Sequence, residues 1–281
     1  MIDNDIKCCT ISCDRTLDQE YWNSQYVNDT IGWDLGEVSP PIKRYIDKIT
    51  NKNAAILIPG CGNTYEAEYL LEQGFTAITV IDIAQTLVKK LRNKFAGNKN
   101  ITILLGDFFD HSGQYDFIIE QTFFCALPPK MRPRYVYQMH QLLAPKGKLV
   151  GLLFNREFES GPPFGGSWLE YELLFKGAFA VNLSVATNSV STRTETELFI
   201  ELKKNNNLVN LYNFTGITCS DCMKSVSYLI AKMEGAINVS MSTDFTEMLI
   251  VSSNEIGIGK LQSVIAYDQK YTINKISINH N

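Results

Sequence analysis

The sequence predicts an α/β protein: a doubly wound, mostly parallel sheet with an antiparallel C-terminal pair, followed by a small α+β unit. Three observations predict it. The apolar run Ile56-Leu57-Ile58-Pro59 ends in a glycine turn, Gly60-Cys61-Gly62; a helical pattern follows, and the next apolar run ends in Asp82. From about residue 54 to 154, strand-like and helix-like segments alternate, as parallel strands covered on both faces require. After the run Lys203-Lys204-Asn205-Asn206-Asn207 the pattern restarts in the order βαββαβ, a ferredoxin-like split arrangement.

Residues 1–53 hold few apolar repeats, but carry Tyr21, Trp22, Tyr26 and Trp33, a Pro40-Pro41 break and a helix over about 42–49. Strands are expected at 54–59, 77–83, 101–105, 115–120 and 148–154, with helices at 64–73, 85–95 and 131–143. Two extended runs, 179–185 and 194–202, flank a polar turn at Asn188-Ser189 and predict the antiparallel pair. The lysine–asparagine run reads as a linker, which divides the chain into domains 1–203 and 208–281. In the second, 208–214 is a strand, and Val226, Leu229, Ile230 and Met233 mark a helix that Gly235 stops. Segments 237–242 and 247–251 form a hairpin, Leu261, Val264 and Ile265 mark another helix, and 271–278 is the last strand.

A chain of 281 residues with 45% hydrophobic and 20% charged residues is an ordinary globular composition. The net charge of −4 offers no electrostatic footprint for nucleic acid or an anionic membrane. No apolar run approaches the ~20 residues of a membrane span. The acidic start Met1-Ile2-Asp3-Asn4-Asp5 lacks a signal peptide's plan, so a cytoplasmic protein is expected. Seven cysteines, an odd number, argue against a disulfide framework, and paired cysteines read better as metal or redox ligands. Cys8, Cys9 and Cys13 fit no spacing template.

The glycine turn and Asp82 suit a nucleoside: glycines admit close backbone approach, and the acid accepts from ribose hydroxyls. A dinucleotide fingerprint requires a third glycine, where Tyr65 stands. S-adenosylmethionine, with an amino acid tail in place of a pyrophosphate, makes no such demand. At the third strand's end, Gly106-Asp107-Phe108 sets an acid and an aromatic where an adenine could lie. Alone, a G-x-G is an ordinary tight turn, and Trp22, Tyr26 and Trp33 are ordinary core aromatics. Cys61 and Cys125 read as small buried cysteines and His140 as structural or exposed; no Ser/His/Asp set or carboxylate pair is evident, and no catalytic residue is assigned.

Trp33-Asp34-x-Gly36, Ile58-Pro59-Gly60-Cys61-Gly62 and Gly106-Asp107-Phe108-Phe109 together resemble the thiopurine S-methyltransferase family, which includes the plant-type thiol and halide methyltransferases. Thr122-Phe123-Phe124-Cys125-Ala126-Leu127-Pro128-Pro129-x-Met131-Arg132-Pro133, Gly161-Pro162-Pro163-Phe164 and the strand 193–202 extend the match over about 20–203. The resemblance implies a Rossmann-like methyltransferase sheet and S-adenosylmethionine as cofactor. It places Trp22, Tyr26 and Trp33 in a lid, Gly60 under the cofactor, Asp82 on the ribose, and Asp107 and Phe108 at the adenine. Gln121 joins this pocket where the plant-type branch has an aromatic. Tyr26 stands for a tryptophan, Thr64 for a further glycine and Glu66 for an aspartate. The implied acceptor is a small soft nucleophile: a thiol, a halide or a metalloid species.

In the second unit, Gly216-Ile217-Thr218-Cys219-Ser220-Asp221-Cys222 resembles the metal loop of heavy-metal-associated domains, which usually have methionine where Ile217 stands. A C-x-x-C at a helix start gains thiolate character from the helix N-terminus. Soft thiolates select Cu(I), Zn(II), Cd(II) or Hg(II), and two ligands leave the site open for transfer. The expected protein is a methyltransferase fused to a soft-metal module. Two rivals stay open at this stage: a metal carrier whose large domain binds the cofactor without turnover, and a NAD-dependent oxidoreductase.

Overall fold

The computed structural model describes residues 16–266 and 271–276. The Cys8, Cys9 and Cys13 group lies outside the described residues. The first sheet has seven strands: β1 (Ile56–Pro59), β2 (Ile78–Asp82), β3 (Ile101–Leu105), β4 (Tyr115–Gln121), β5 (Leu143–Phe154), β6 (Phe179–Val185) and β7 (Glu197–Lys204). They lie in the order β3-β2-β1-β4-β5-β7-β6. β1 through β5 are mutually parallel, and β7 slots antiparallel between β5 and β6.

Alternation along β1 builds both faces. Ile56 and Ile58 point into one apolar cluster and Leu57 into the other. The first cluster is closed by α2 (Pro40–Ile46), α3 (Tyr65–Glu72) and α4 (Gln85–Lys94), through Ile42, Ile46, Ala67, Leu70, Leu87 and Leu91. The second is closed by α5 (Arg132–Leu142) and α6 (Trp168–Phe175), through Tyr135, Val136, Met139, Tyr171, Leu174 and Phe175. Gly151 on β5 is required by packing: a Cβ there would sit 2.5 Å from the Glu120 carbonyl oxygen.

Two helices lie outside the expected pattern. α1 (Gln19–Val27) has no buried residue and no apolar stripe, so periodicity gives no signal; the Asp18 carboxylate caps it by accepting from the Tyr21 N–H at 2.9 Å. α6 is apolar nearly all round, Trp-Leu-Glu-Tyr-Glu-Leu-Leu-Phe, which also hides a helical period. β5 begins at Leu143 rather than 148. The chain bends at Lys146 (φ +69°) and Gly147, and the register with β4 shifts there, so strand pairing survives a Pro-Lys-Gly sequence that reads as a turn.

The second sheet comprises β8 (Leu208–Thr215), β9 (Ala236–Met241), β10 (Glu247–Ser252) and β11 (Thr272–Lys275), all antiparallel, in the order β11-β8-β10-β9. α7 (Ser220–Ala231) and α8 (Ile258–Ile265) cover one face, packing Val226, Ile230, Leu261 and Ile265 on Tyr212, Phe214, Met248 and Ile250. The other face is not open. Val209, Leu211, Leu249 and Val251 join the same cluster as α5 and α6. α5 therefore lies between the two sheets, touching β5 on one side and β8 and β10 on the other, with eight of its eleven residues buried. Gly177 (φ +79°) permits the close approach; a Cβ there would meet the Ile237 Cγ2 at 2.7 Å. The asparagine run is pinned: the Asn205 and Asn207 side-chain amides both donate to the Gly177 carbonyl, at 3.0 and 2.8 Å.

A shared core makes a testable demand. Leu249→Ala, in the second sheet, should cost about 2–5 kcal/mol of stability. The loss should appear in the urea transition followed by tryptophan fluorescence, although all three tryptophans lie in the first unit. An unchanged fluorescence midpoint beside an earlier far-ultraviolet circular dichroism transition would show that the two sheets unfold separately.

Candidate active site

The carboxyl ends of β1 to β4 open into a cleft of about 1810 Å³. Its floor is the glycine turn. Gly60 and Gly62 have φ of +53° and +52°, and a Cβ on Gly60 would overlap the Phe123 ring at 2.2 Å, so no side chain fits there. Asp82, buried at the tip of β2, fixes the turn. One carboxylate oxygen accepts from the Gly62 N–H at 3.2 Å and the other from the Ala84 N–H at 2.9 Å. Burial pushes its carboxyl above the usual range, while these bonds hold it down.

The aromatics expected to form a lid are a connected group. Trp33 meets Trp22 edge-on at 5.6 Å and Tyr26 at 6.0 Å. The Trp33 loop is tied down twice. Asp34 accepts from the Gly36 N–H at 2.7 Å and from the Asn63 side-chain amide, which joins the lid to the glycine turn. Arg193 donates to the Trp33 carbonyl at 3.1 Å and pairs with Glu197 at 3.4 Å. Burial pushes the Tyr26 phenol well up, with Asp82 adding to the effect, so it stays neutral.

At the end of β3, Asp107 caps a short helical turn by accepting from the Phe109 N–H at 2.8 Å, and Phe108 stacks edge-on with Phe123 at 5.1 Å. Gln121 lines the same cleft, and its side-chain oxygen is buried without a partner. The cleft thus brings together Trp22, Tyr26, Trp33, Gly60, Asp82, Asp107, Phe108 and Gln121. Two β-branched residues beside it hold left-handed backbone, Thr64 (φ +53°) and Thr122 (φ +62°). Such residues lose roughly 1–2 kcal/mol in that region. Strain of this kind is held where the surroundings over-determine it.

Two contributors were not legible in sequence, Glu120 and Arg193. Glu120, fully buried, accepts from the Phe123 and Phe124 N–H groups at 2.8 and 2.9 Å and so shapes the loop after β4. Arg193 joins the lid to β7 across 160 residues of sequence. Glu66 is buried on the cleft wall and is pushed up to about 7 by burial. Cys61 and Cys125 are buried, and burial raises both thiols, which suits packing rather than nucleophilic work. His140 is also buried; its Nε2 lies 3.2 Å from the Asn205 carbonyl, and burial and Lys204 lower it to about 4.

Cys219 and Cys222 lie far along the chain, at the start of α7. Cys219 caps the helix, its exposed Sγ accepting from the Cys222 N–H at 3.3 Å. Hydrogen bonds from the Cys222 thiol and backbone lower the Cys219 thiol below its ordinary value. Among the described residues no group of three or more His, Cys, Asp or Glu side chains gathers to hold a metal. The pair itself offers two thiol donors.

Among solved structures, Burkholderia thailandensis 1,6-didemethyltoxoflavin-N1-methyltransferase, with bound 1,6-didemethyltoxoflavin and S-adenosylhomocysteine, superposes with a TM-score of 0.55 at 16% identity, covering 67% of this chain and 87% of that one. The fold is that of the S-adenosylmethionine-dependent methyltransferases. The family model for thiopurine S-methyltransferase matches residues 17–207, and the chain belongs to that family. A probable thiol methyltransferase 2 of Arabidopsis thaliana is 32% identical over 157 residues, 54% of this chain and 69% of the relative. A thiopurine S-methyltransferase of Pseudomonas aeruginosa (strain UCBPP-PA14) is 26% identical over 220 residues, 66% of this chain and 99% of the relative. No helix among the described residues is long and apolar enough to cross a membrane.

The buried carboxyls give the apoprotein a pH dependence. Burial pushes Glu120 up to about 7, with Glu197 adding to the effect. An unfolded glutamate titrates near ~4.3, so the folded state alone keeps this proton between there and about 7. The folded state binds more protons across that window, and stability falls as pH rises through it. Glu120→Gln keeps the two N–H acceptor contacts and removes the titration. Unfolding free energies from urea transitions should match wild type near pH 4 and exceed it at pH 8, by on the order of 1–3 kcal/mol. A variant less stable than wild type at pH 8 would contradict a neutralising burial.

Proposed function

We propose that the protein transfers the methyl group of S-adenosylmethionine to a small soft nucleophile, a thiol, a halide or a metalloid species. The supporting observation is the lining beyond the cofactor residues. Leu127, Pro128, Met131, Phe154 and Phe164 make that part of the cleft apolar, and Arg193 brings one cationic guanidinium to it, 5.5 Å from the Phe154 ring centre. A soft anion stripped of water there is a better nucleophile and, being already deprotonated, attacks without a general base.

The residues present fit the cofactor. Gly60 and Gly62 leave room for close backbone approach, Asp82 presents acceptor oxygens to ribose hydroxyls, and the unpartnered Gln121 oxygen can accept from an adenine amino group. Asp107 and Phe108 would frame the adenine, and Trp22, Tyr26 and Trp33 would close over the cofactor and exclude water. When bound, S-adenosylmethionine supplies a methyl group already activated on a sulfonium. The protein's own work is then positioning and desolvation.

The second unit, 208–281, is on the same reading a ferredoxin-like heavy-metal-associated domain. Its element order and antiparallel pairing support this, as do two thiols at a helix N-terminus, one with a lowered pKa. Cys219 and Cys222 would bind a soft ion such as Cu(I), Zn(II), Cd(II) or Hg(II). Both halves then handle soft chemistry, which suits detoxification in the cytoplasm.

Incubation with labelled S-adenosylmethionine and a panel of hydrosulfide, thiocyanate, iodide and benzenethiol should yield a methylated product. Asp82→Ala should weaken S-adenosylhomocysteine by about tenfold or more, a loss of ~1.4 kcal/mol. An unreactive panel would remove the soft-acceptor reading. In the full chain, Cys219→Ser with Cys222→Ser should abolish binding of Cu(I) and Zn(II) measured by competition with a chromogenic chelator. Undiminished binding would place the metal elsewhere.

A further inference from the structure

We propose that the turn joining β9 to β10 forms the adenine-side wall of the cofactor pocket, so that Thr243, from the second sheet, is a positioning residue for the nucleoside. The proposal rests on the S-adenosylmethionine reading above and concerns a segment outside the 17–207 family match.

Thr243 lines the same cleft as Asp107, Phe109 and Lys130. It is carried there by a built turn rather than a loose loop. The Asp244 carboxylate accepts from the Ser242 hydroxyl at 2.7 Å and the Thr246 hydroxyl at 2.8 Å. The Ser242 Oγ in turn accepts from the N–H groups of Thr246 and Glu247, at 3.1 and 2.9 Å. Phe245 takes left-handed backbone (φ +64°) to close the turn.

Two charge contacts moor this turn to the segment that follows β4. Lys130 lies 3.9 Å from Asp244. Arg134 donates its Nε to both oxygens of Glu247, at 2.9 and 3.2 Å, and its Nη2 to one of them. Hydrogen bonding to Glu247 raises the Arg134 guanidinium above its ordinary value, and the charges of Asp107 and Asp110 contribute. The same helix, α5, also reaches the β3 end, where the Gln138 side-chain amide donates to the Phe108 carbonyl at 3.0 Å, and this sets the moored turn on the side of the cleft where the adenine is expected. A half-buried, bidentate pair holds geometry better than an exposed lysine pair.

Calorimetry on the full chain with S-adenosylhomocysteine and with adenosine tests this. Thr243→Trp adds bulk at the wall, and Asp244→Ala unties the turn. Each should weaken both ligands by about tenfold and by the same factor, because the lost contact lies in the part they share. Asp244→Asn, which keeps the acceptor oxygen, should restore most of the affinity. Wild-type affinity in both variants, with unchanged thermal midpoints, would overturn the proposal. So would weaker S-adenosylhomocysteine with unchanged adenosine, which would move the turn to the other end of the pocket. A wild-type chain that binds neither ligand would fail at the methyl-donor reading itself, and this wall would fall with it.

Discussion

The Asp82 carboxylate organises the top of the sheet. It stands at the tip of β2 and accepts from two backbone N–H groups, one in the glycine turn after β1 and one in its own loop. Together with the Cys61 N–H, which donates to the Ile81 carbonyl at 3.2 Å, that acceptor fixes a turn with left-handed backbone at Gly60, Gly62 and Thr64. The turn in turn carries Asn63, which anchors Asp34 and with it the Trp33 loop. The aromatic lid is thus tied to the second strand through one carboxylate and one amide. The arrangement explains why residues separated by 20 to 29 positions in sequence behave as one site.

Much of this was legible in sequence, for physical reasons. Central parallel strands are buried on both faces, so Ile56–Pro59 and Ile78–Asp82 read as continuous apolar runs that end at chemistry-bearing residues. α4 was legible because Leu87, Val88 and Leu91 make one stripe. α1 and α6 were not, since one has no apolar stripe and the other no polar one. The eight cofactor-pocket candidates line one cleft, but the groups that hold them do not announce themselves. Glu120 and Arg193 act through backbone partners, and the contact of Arg193 with Trp33 spans 160 residues. No local pattern encodes that.

The lysine–asparagine run shows a different limit. Its composition reads as a linker, yet its amides are anchored to Gly177 and the chain on either side is sheet. Polar residues can be exposed for solvation or chosen for their hydrogen bonds, and composition does not separate the two. The contacts across it are of the same mixed kind. An apolar layer of Leu211, Leu249 and Val251 meets α5 and α6, while Arg134 and Glu247 set the register at the rim.

The covered face of the second sheet constrains traffic. A free four-stranded sandwich with two helices on one side offers its bare sheet to other proteins as a docking plane. Here α5 already occupies that plane. The thiols of Cys219 and Cys222 stand instead at the start of α7, where Cys219 is exposed, on a loop and a helix tip rather than on a broad sheet.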